Sequence, residues 1–251
     1  MTSISELTFF GTPVMHFTEL KSTNEYLKNQ SISCPMLVVA DSQSHGKGQY
    51  GKDWHSEPNQ NLTFSFQWFP KNLRAEEGFK LSQMVSLAIL KTVNKYIDPE
   101  RAYIKWPNDI VIENKKVCGV LIEPTIQNNL IQKVIVGIGL NVNQTQFPPN
   151  LPNASSLSIL FPEKHWEVKT ILQNMMASFE SLVPRLPDIE TQSKYNSNML
   201  NINDIITISK ADKFLSCLNM GVNKEGFWVL KNLSNEEILT LSSSREIDYV
   251  Y

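Results

Sequence analysis

Apolar positions along the chain recur with two different periods, and the switches between them divide it into elements. Leu81, Met84, Val85, Ala88, Ile89 and Val93 fall at helical spacing and predict an amphipathic helix of about 20 residues. Val168, Ile171, Leu172, Met175, Met176, Phe179 and Leu182 repeat that spacing and predict a second. Around and between the two stripes the period is two. Asn61 to Phe69 alternates apolar and polar residues rich in β-branched and aromatic types, which predicts a strand. Met36–Ala40 and Val134–Asn143 are apolar runs of strand length. Arg101 to Asp109 reads as a strand ending in a Pro-Asn-Asp turn. Ile110–Asn114 and Lys116–Pro124 then form a hairpin around Asn114-Lys115. Nearer the N-terminus, Ser22-x-x-Glu25 is a capping box that opens a helix with Tyr26 and Leu27 on its apolar side. Gln144–Asn153, with its prolines, is a loop, and the apolar period fades from Pro184 to Leu200. Beyond it, short β-prone runs at Ile205–Ser209, Phe214–Met220, Phe227–Leu230, Glu237–Leu241 and Ile247–Tyr251 predict a small β-barrel.

Composition narrows the class without choosing a function. With 41% hydrophobic and 19% charged residues in 251, the chain has the makeup of a soluble protein with a sizeable core. Its net charge of −2 and pI near 6.1 offer no global attraction for nucleic acid or an acidic membrane surface. No apolar run approaches the roughly 20 residues that span a bilayer, and the expected compartment is the cytoplasm. Cys34, Cys118 and Cys217 are widely separated and lack C-x-x-C spacing, as expected of reduced thiols packed in the core and not of a zinc site or disulfide framework.

Local chemistry concentrates in Gln43–Trp54, Q-S-H-G-K-G-Q-Y-G-K-D-W. Glycines let a backbone approach an anion closely, and Lys47 and Lys52 add charge. Gly46, Gly48 and Gly51 spell G-x-G-x-x-G, but a strand follows where a dinucleotide-binding unit needs a helix. Gly46 to Lys52 also reads G-x-x-x-x-G-K, with Asp53 where a P-loop needs a hydroxyl. The loop therefore joins strand to strand, and on its own it is equally compatible with a solvated basic hairpin. Ser22, Thr23 and Asn24 suit a helix cap, or a clasp on a compact polar ligand at the positive end of the helix. Gly137 and Gly139, two residues apart, leave one strand face bare for a ligand or another backbone. Lys116 heads a hydrophobic strand, either snorkelling to solvent or facing a phosphate or carboxylate.

Taken in order, Ser22-Thr-Asn24, the Gln43…Gly46-Lys-Gly-Gln-Tyr-Gly51…Trp54 loop, Lys105-Trp-Pro-Asn-Asp109, Lys116-Val-Cys-Gly-Val-Leu-Ile-Glu123 and Gly137-Ile-Gly-Leu-Asn141 resemble the motifs of biotin protein ligases over essentially the whole chain. The resemblance implies an α+β fold: a mixed, largely antiparallel sheet flanked by helices, class II synthetase-like, at 1–197, and an SH3-like β-barrel at 198–251. It implies an ATP-dependent, AMP-forming ligase. Biotin and MgATP give biotinyl-5′-AMP and pyrophosphate, and biotin then passes to one lysine of a biotin carboxyl carrier domain. The Mg²⁺ is carried by ATP and not by a side-chain cluster.

The same resemblance assigns residues. Ser22, Thr23, Asn24 and Gln43 take biotin's ureido head, with Gly46, Lys47, Gly48, Gln49 and Lys116 completing the biotin site. Lys47, Gly51, Trp54, Lys105, Asn108, Lys116 and Asn141 face the nucleotide. Lys116, Lys47 and Asp109 are the catalytic set, the lysines screening two anions and Asp109 serving the acceptor amine. Many members carry arginine in place of Lys47 and of Gln49, so this loop keeps one charge without its bidentate fork and lacks the other. The loop is expected to be mobile until substrate arrives and to close over the adenylate. With Ser22 so near the start, no room is expected for the DNA-binding domain of bifunctional members, hence a monofunctional enzyme with no nucleic-acid or membrane partner. Some members of the family pair through sheet edges, so the resemblance admits a homodimer. A lipoate-type ligase of related fold and a non-catalytic biotin-binding module are the alternatives; the first should lack this loop joined to K-W-P-N-D, and the second could dispense with Lys116.

Overall fold

The computed structural model describes residues 3–185 and 190–250. A small hairpin, β1 (Thr8–Phe9) with β2 (Thr12–Pro13), precedes β3 (Met15–Leu20), α1 (Thr23–Lys28) and β4 (Met36–Gln43). The glycine-rich loop then leads to β5 (Leu62–Trp68), followed by α2 (Phe79–Val93), β6 (Ala102–Lys105), β7 (Asp109–Ile112), β8 (Lys115–Gln127) and β9 (Leu130–Leu140). These strands form a seven-stranded sheet in the order β3-β4-β5-β9-β8-β7-β6. Only β3 and β4, joined by α1, run parallel; the other neighbours are antiparallel. The expected mixed, largely antiparallel sheet is therefore present.

One face of the sheet carries the core. The predicted stripes of α2 and of α4 (Val168–Leu182) are buried on it, and Phe179 of α4 packs with its ring centroid 4.9 Å from that of Phe66 in β5. Alternation alone would turn the opposite face of β5 to solvent. Instead Thr63, Ser65 and Gln67 are all buried, because α1 covers that side by packing Leu27 against Met36, Val38 and Ile135.

The C-terminal strands are β10 (Ile205–Lys210), β11 (Lys213–Val222), β12 (Trp228–Asn232), β13 (Ile238–Leu241) and β14 (Asp248–Val250), reached through α3 (Leu157–Leu160), α4 and α5 (Glu190–Ser197). They pair antiparallel in the order β13-β12-β11-β10-β14. The expected barrel is thus seen as a five-stranded sheet, with no pairing between β13 and β14 among the described residues. Tyr251, the end of the last predicted run, and 186–189 of the predicted connection lie outside the described residues. Trp106, Phe179, Trp228, Leu230 and Leu241 belong to one continuous hydrophobic core, which runs beneath both sheets.

Several expectations shift. The first large helix has 15 residues, not about 20. The β7–β8 turn is Glu113-Asn114, one residue earlier than read, with φ of 50° and 61°, the doubly left-handed conformation of a tight hairpin. The strand β3 and the short α3 were not predicted, each being too brief for a clear period. Cys118 and Cys217 are buried as expected, but Cys34 is exposed. Among the described residues no helix is long and apolar enough to cross a membrane.

Candidate active site

The register of the sheet brings distant segments into one row. Thr63 lies opposite Gly139, Gly139 opposite Gly119, Gly119 opposite Asp109, and Asp109 opposite Lys105. Directly opposed residues share a face, and one pleat further along Ser65 opposes Gly137. A cavity of about 310 Å³ sits on this face. Ser22, Thr23, Asn24 and Gln43 line it from α1 and the end of β4. The loop contributes Lys47, Gly48, Gln49 and Trp54, and the sheet contributes Asn108, Asp109, Lys116 and Asn141. Lys47 and Lys116, expected to converge, border the same cavity. Of the other expected residues, Gly46 and Gly51 stand outside this lining, and Lys105 lines an adjoining cavity of about 250 Å³ with Lys52, Asn108 and Asp109.

A buried hydrogen-bond chain organises the α1 side. Ser22 caps α1, its hydroxyl accepting from Glu25 N at 3.4 Å, so the cap reading and the ligand reading of this triplet both have a place. Gln43 Oε1 accepts from Thr23 N at 2.7 Å and from Thr23 Oγ1 at 3.1 Å. Thr23 Oγ1 lies 2.6 Å from Ser65 Oγ, which donates to Asn24 Oδ1 at 2.5 Å. Asn24 Nδ2 donates to Glu123 Oε2 at 2.8 Å, and Lys28 holds the other carboxylate oxygen at 2.5 Å. Ser65 and Glu123 were not among the expected site residues. The signal for Ser65 was available, since it occupies the polar phase of β5, but alternation alone assigns that phase to solvent.

Lys116 reaches the cavity through a β-bulge. The pairing steps from Ile110↔Cys118 to Val111↔Lys116, leaving Val117 as the extra residue of β8. Both Val117 and Cys118 consequently point into the core, and Lys116 turns to the face it would otherwise have missed. Its backbone is fixed from the other side, with N donating to Asn153 O at 2.7 Å and O accepting from Ser155 N at 2.9 Å. Nζ stands 2.7 Å from Asp109 Oδ1, as an ion pair and not an aligned hydrogen bond. Burial pushes the neighbouring Lys105 ammonium below the usual lysine range, with Asp109 opposing the shift and Lys116 adding to it. Lys47, by contrast, makes an exposed pair with Glu25 at 3.5 Å, a contact of little energetic weight.

The bare glycine face is not an open floor. A Cβ on Gly137 would lie 2.1 Å from Asn24 Oδ1, and one on Gly139 would lie 2.2 Å from Trp54 Cε2. The two glycines therefore admit the amide and the indole, about 7 Å apart along β9. Trp54 Nε1 and Asn141 Oδ1 are buried without a hydrogen-bond partner, while Asn141 Nδ2 is anchored to Ser155 O at 2.9 Å. Unpaired polar atoms at a cavity wall point to a polar ligand. The loop glycines differ from expectation as well. Only Gly51 takes a positive φ, 76°, whereas the crowding at Gly46 comes from Trp54 O, 2.6 Å from where its Cβ would be.

The chain is 32% identical over 163 residues to the bifunctional ligase/repressor BirA of Bacillus subtilis, covering 64% of this chain and 49% of that one. It is 25% identical over 146 residues to the biotin–[acetyl-CoA-carboxylase] ligase of Mycobacterium tuberculosis, covering 57% and 53%. It thus spans about half the length of these curated relatives. Among solved structures, biotin protein ligase from Aquifex aeolicus in complex with biotin and ATP superposes with a TM-score of 0.76 at 27% identity, over 94% of this chain and 97% of that one. A model of the biotin/lipoate A/B protein ligase family matches residues 15–141 of the 251. That segment runs from β3 through the loop and the glycine row to Asn141, so it takes in nearly the whole cavity, and the chain belongs to the biotin/lipoate A/B protein ligase family.

Proposed function

We propose that the protein is a biotin–protein ligase that makes biotinyl-5′-AMP from biotin and MgATP and then biotinylates one lysine of a biotin carboxyl carrier domain. The observation that carries the choice of substrate is the buried chain Gln43–Thr23–Ser65–Asn24–Glu123 at the cavity. A ureido ring presents a carbonyl and N–H groups that such a set can satisfy. Lipoate's dithiolane offers none, and against this polar wall it would make no hydrogen bond in exchange for the water it displaces, whereas each one made by a ureido ring contributes about 0.5–1.5 kcal/mol. The likeness to the Aquifex protein, whose structure holds biotin and ATP, supports the same choice.

In the first half-reaction a biotin carboxylate oxygen attacks the α-phosphorus of ATP and pyrophosphate leaves. Both reactants are anions, and Lys116, held at the cavity by the bulge, supplies positive charge where negative charge grows. Lys47 adds to it from the loop. Asn141 Oδ1, buried and unpartnered, offers an oxygen to the nucleotide or to its Mg²⁺, an ion that prefers oxygen donors. Mg²⁺ enters with ATP, as part of the MgATP substrate. In the second half-reaction the acceptor amine attacks the acyl carbon, AMP departs, and the amine loses a proton. A lysine amine with ordinary pKa near 10.4 is charged at neutral pH and sheds one proton to solvent before it attacks; the Asp109 carboxylate, at the junction of the two cavities, orients the neutral amine and takes the second proton as the amide forms.

Incubation with ATP, labelled biotin or labelled lipoate, and an acceptor domain tests the reading. Pyrophosphate release with biotin alone, followed by labelled acceptor, is the expected pattern; release with lipoate only would reassign the substrate, and binding of biotin without pyrophosphate would make the protein a binding module. Asp109→Asn is expected to slow transfer from preformed adenylate by roughly 100-fold, the scale of one positioned proton acceptor, with a smaller effect on adenylate formation. Equal slowing of both steps would leave Asp109 only its turn-closing role.

A further inference from the structure

The tip of the glycine-rich loop is tied to the C-terminal sheet. Its base is self-supported: Trp54 N donates to Gly46 O at 2.9 Å and Gly48 N to Lys52 O at 2.6 Å. Tyr50, at the tip, has φ 59°, a left-handed conformation unfavourable for any residue with a Cβ, and it is 49% exposed. What holds it comes from nearly two hundred residues away. The Arg245 guanidinium lies 3.8 Å from the centre of the Tyr50 ring, Arg245 Nη2 donates to Tyr50 O at 3.4 Å, and Tyr50 Oη lies 3.1 Å from Ser243 Oγ.

The segment bearing these groups is itself braced. Ser243 Oγ accepts from Arg245 N at 3.2 Å. Glu246 Oε1 accepts from Ser242 N at 2.7 Å, Ser242 Oγ at 2.8 Å and Ser243 N at 2.9 Å. The turn therefore presents Arg245 and Ser243 in fixed positions, and Ser244 between them borders the cavity together with Tyr50. A rigid turn on one sheet thus meets a strained residue on a loop rooted in the other.

We propose that Arg245 and Ser243 are positioning residues that hold the glycine-rich loop closed through Tyr50, so that the C-terminal sheet sets how long an activated intermediate stays in the cavity. The retention half of this statement rests on the ligase reading; the closure half does not.

Hydrogen exchange across 43–54 in the ligand-free protein tests closure. Arg245→Ala and Tyr50→Ala should each speed exchange at the loop tip on the order of threefold to tenfold, as loss of one exposed cation–π contact and its hydrogen bond would do. Exchange elsewhere and the melting temperature should be unchanged. Arg245→Lys should recover part of the protection, and the double variant should be no faster than either single one. Retention is read separately in Arg245→Ala, as release of preformed biotinyl-5′-AMP, which should quicken by a similar factor while the single-turnover rate of its formation holds. Unchanged loop exchange in both alanine variants would overturn the closure proposal whatever the enzyme's activity. Faster exchange with unaltered adenylate release would confine Arg245 to shaping the loop. A wild-type protein that forms no adenylate would defeat the ligase reading and leave the exchange result to stand.

Discussion

Replacing Lys116 with alanine is expected to slow pyrophosphate release by roughly two to three orders of magnitude, the loss usual for one preorganised donor in a site sheltered from water. Two effects add in the same direction. The cation that faces the reacting anions disappears, and Asp109, which the ammonium neutralises at 2.7 Å, loses that partner and keeps only the attraction of Lys105 across the strand pair. An acid placed there repels both ATP and biotin. Rapid-quench measurement of adenylate formation at saturating substrates separates this from weakened binding. A rate equal to that of the parent protein would remove Lys116 from the chemistry and return it to the role of a surface lysine on a hydrophobic strand.

The glycine pair of β9 offers the second large effect, and the two positions should fail differently. In Gly137→Ala the new methyl would stand 2.1 Å from Asn24 Oδ1, so the amide must move and the chain through Ser65 and Glu123 is broken. With each unpaired buried group costing about 1–3 kcal/mol, biotin affinity should fall roughly 10- to 100-fold by calorimetry. In Gly139→Ala the methyl would meet the Trp54 indole at 2.2 Å, and the loss should fall on ATP instead. Overpacking alone costs about 1–3 kcal/mol of stability in either case, which makes the parallel melting curves the control. If both variants weakened biotin equally, or neither did, the division of the cavity between an amide-lined and an indole-lined half would be wrong.

Much of the architecture is legible from periodicity because it depends on which residues are apolar. The stripes of α2 and α4, the alternation in β5 and the β-prone runs after Ile205 each correspond to an element. What periodicity cannot convey is the use made of a polar phase. Ser65 reads as solvent-facing until α1 is known to lie over it, and that packing depends on a crossover between parallel strands hardly visible in Met15–Leu20. Lys116 is a sharper case. Strict alternation from Gly119 would send Lys116 to the core side, and the extra residue at Val117 reverses this. The resemblance still grouped Lys116 with Asp109 and Asn141, and all three border the same cavity. Glu123 was within a quoted motif, yet its bond to Asn24 crosses 99 positions, a pairing that only the assembled sheet reveals.

The K-W-P-N-D corner has a divided allegiance. Asn108 and Asp109 border the cavity, whereas the preceding Trp106 donates from Nε1 to Gly226 O at 2.9 Å and packs with its ring centroid 5.7 Å from that of Trp228. A peg driven into the C-terminal sheet thus anchors the turn that carries the reactive carboxylate. Losing that sheet would do more than uncover the active face, since the corner would keep only its strand pairing and the bonds between Asn108 and Val120, without the brace that fixes its tilt toward everything it must serve.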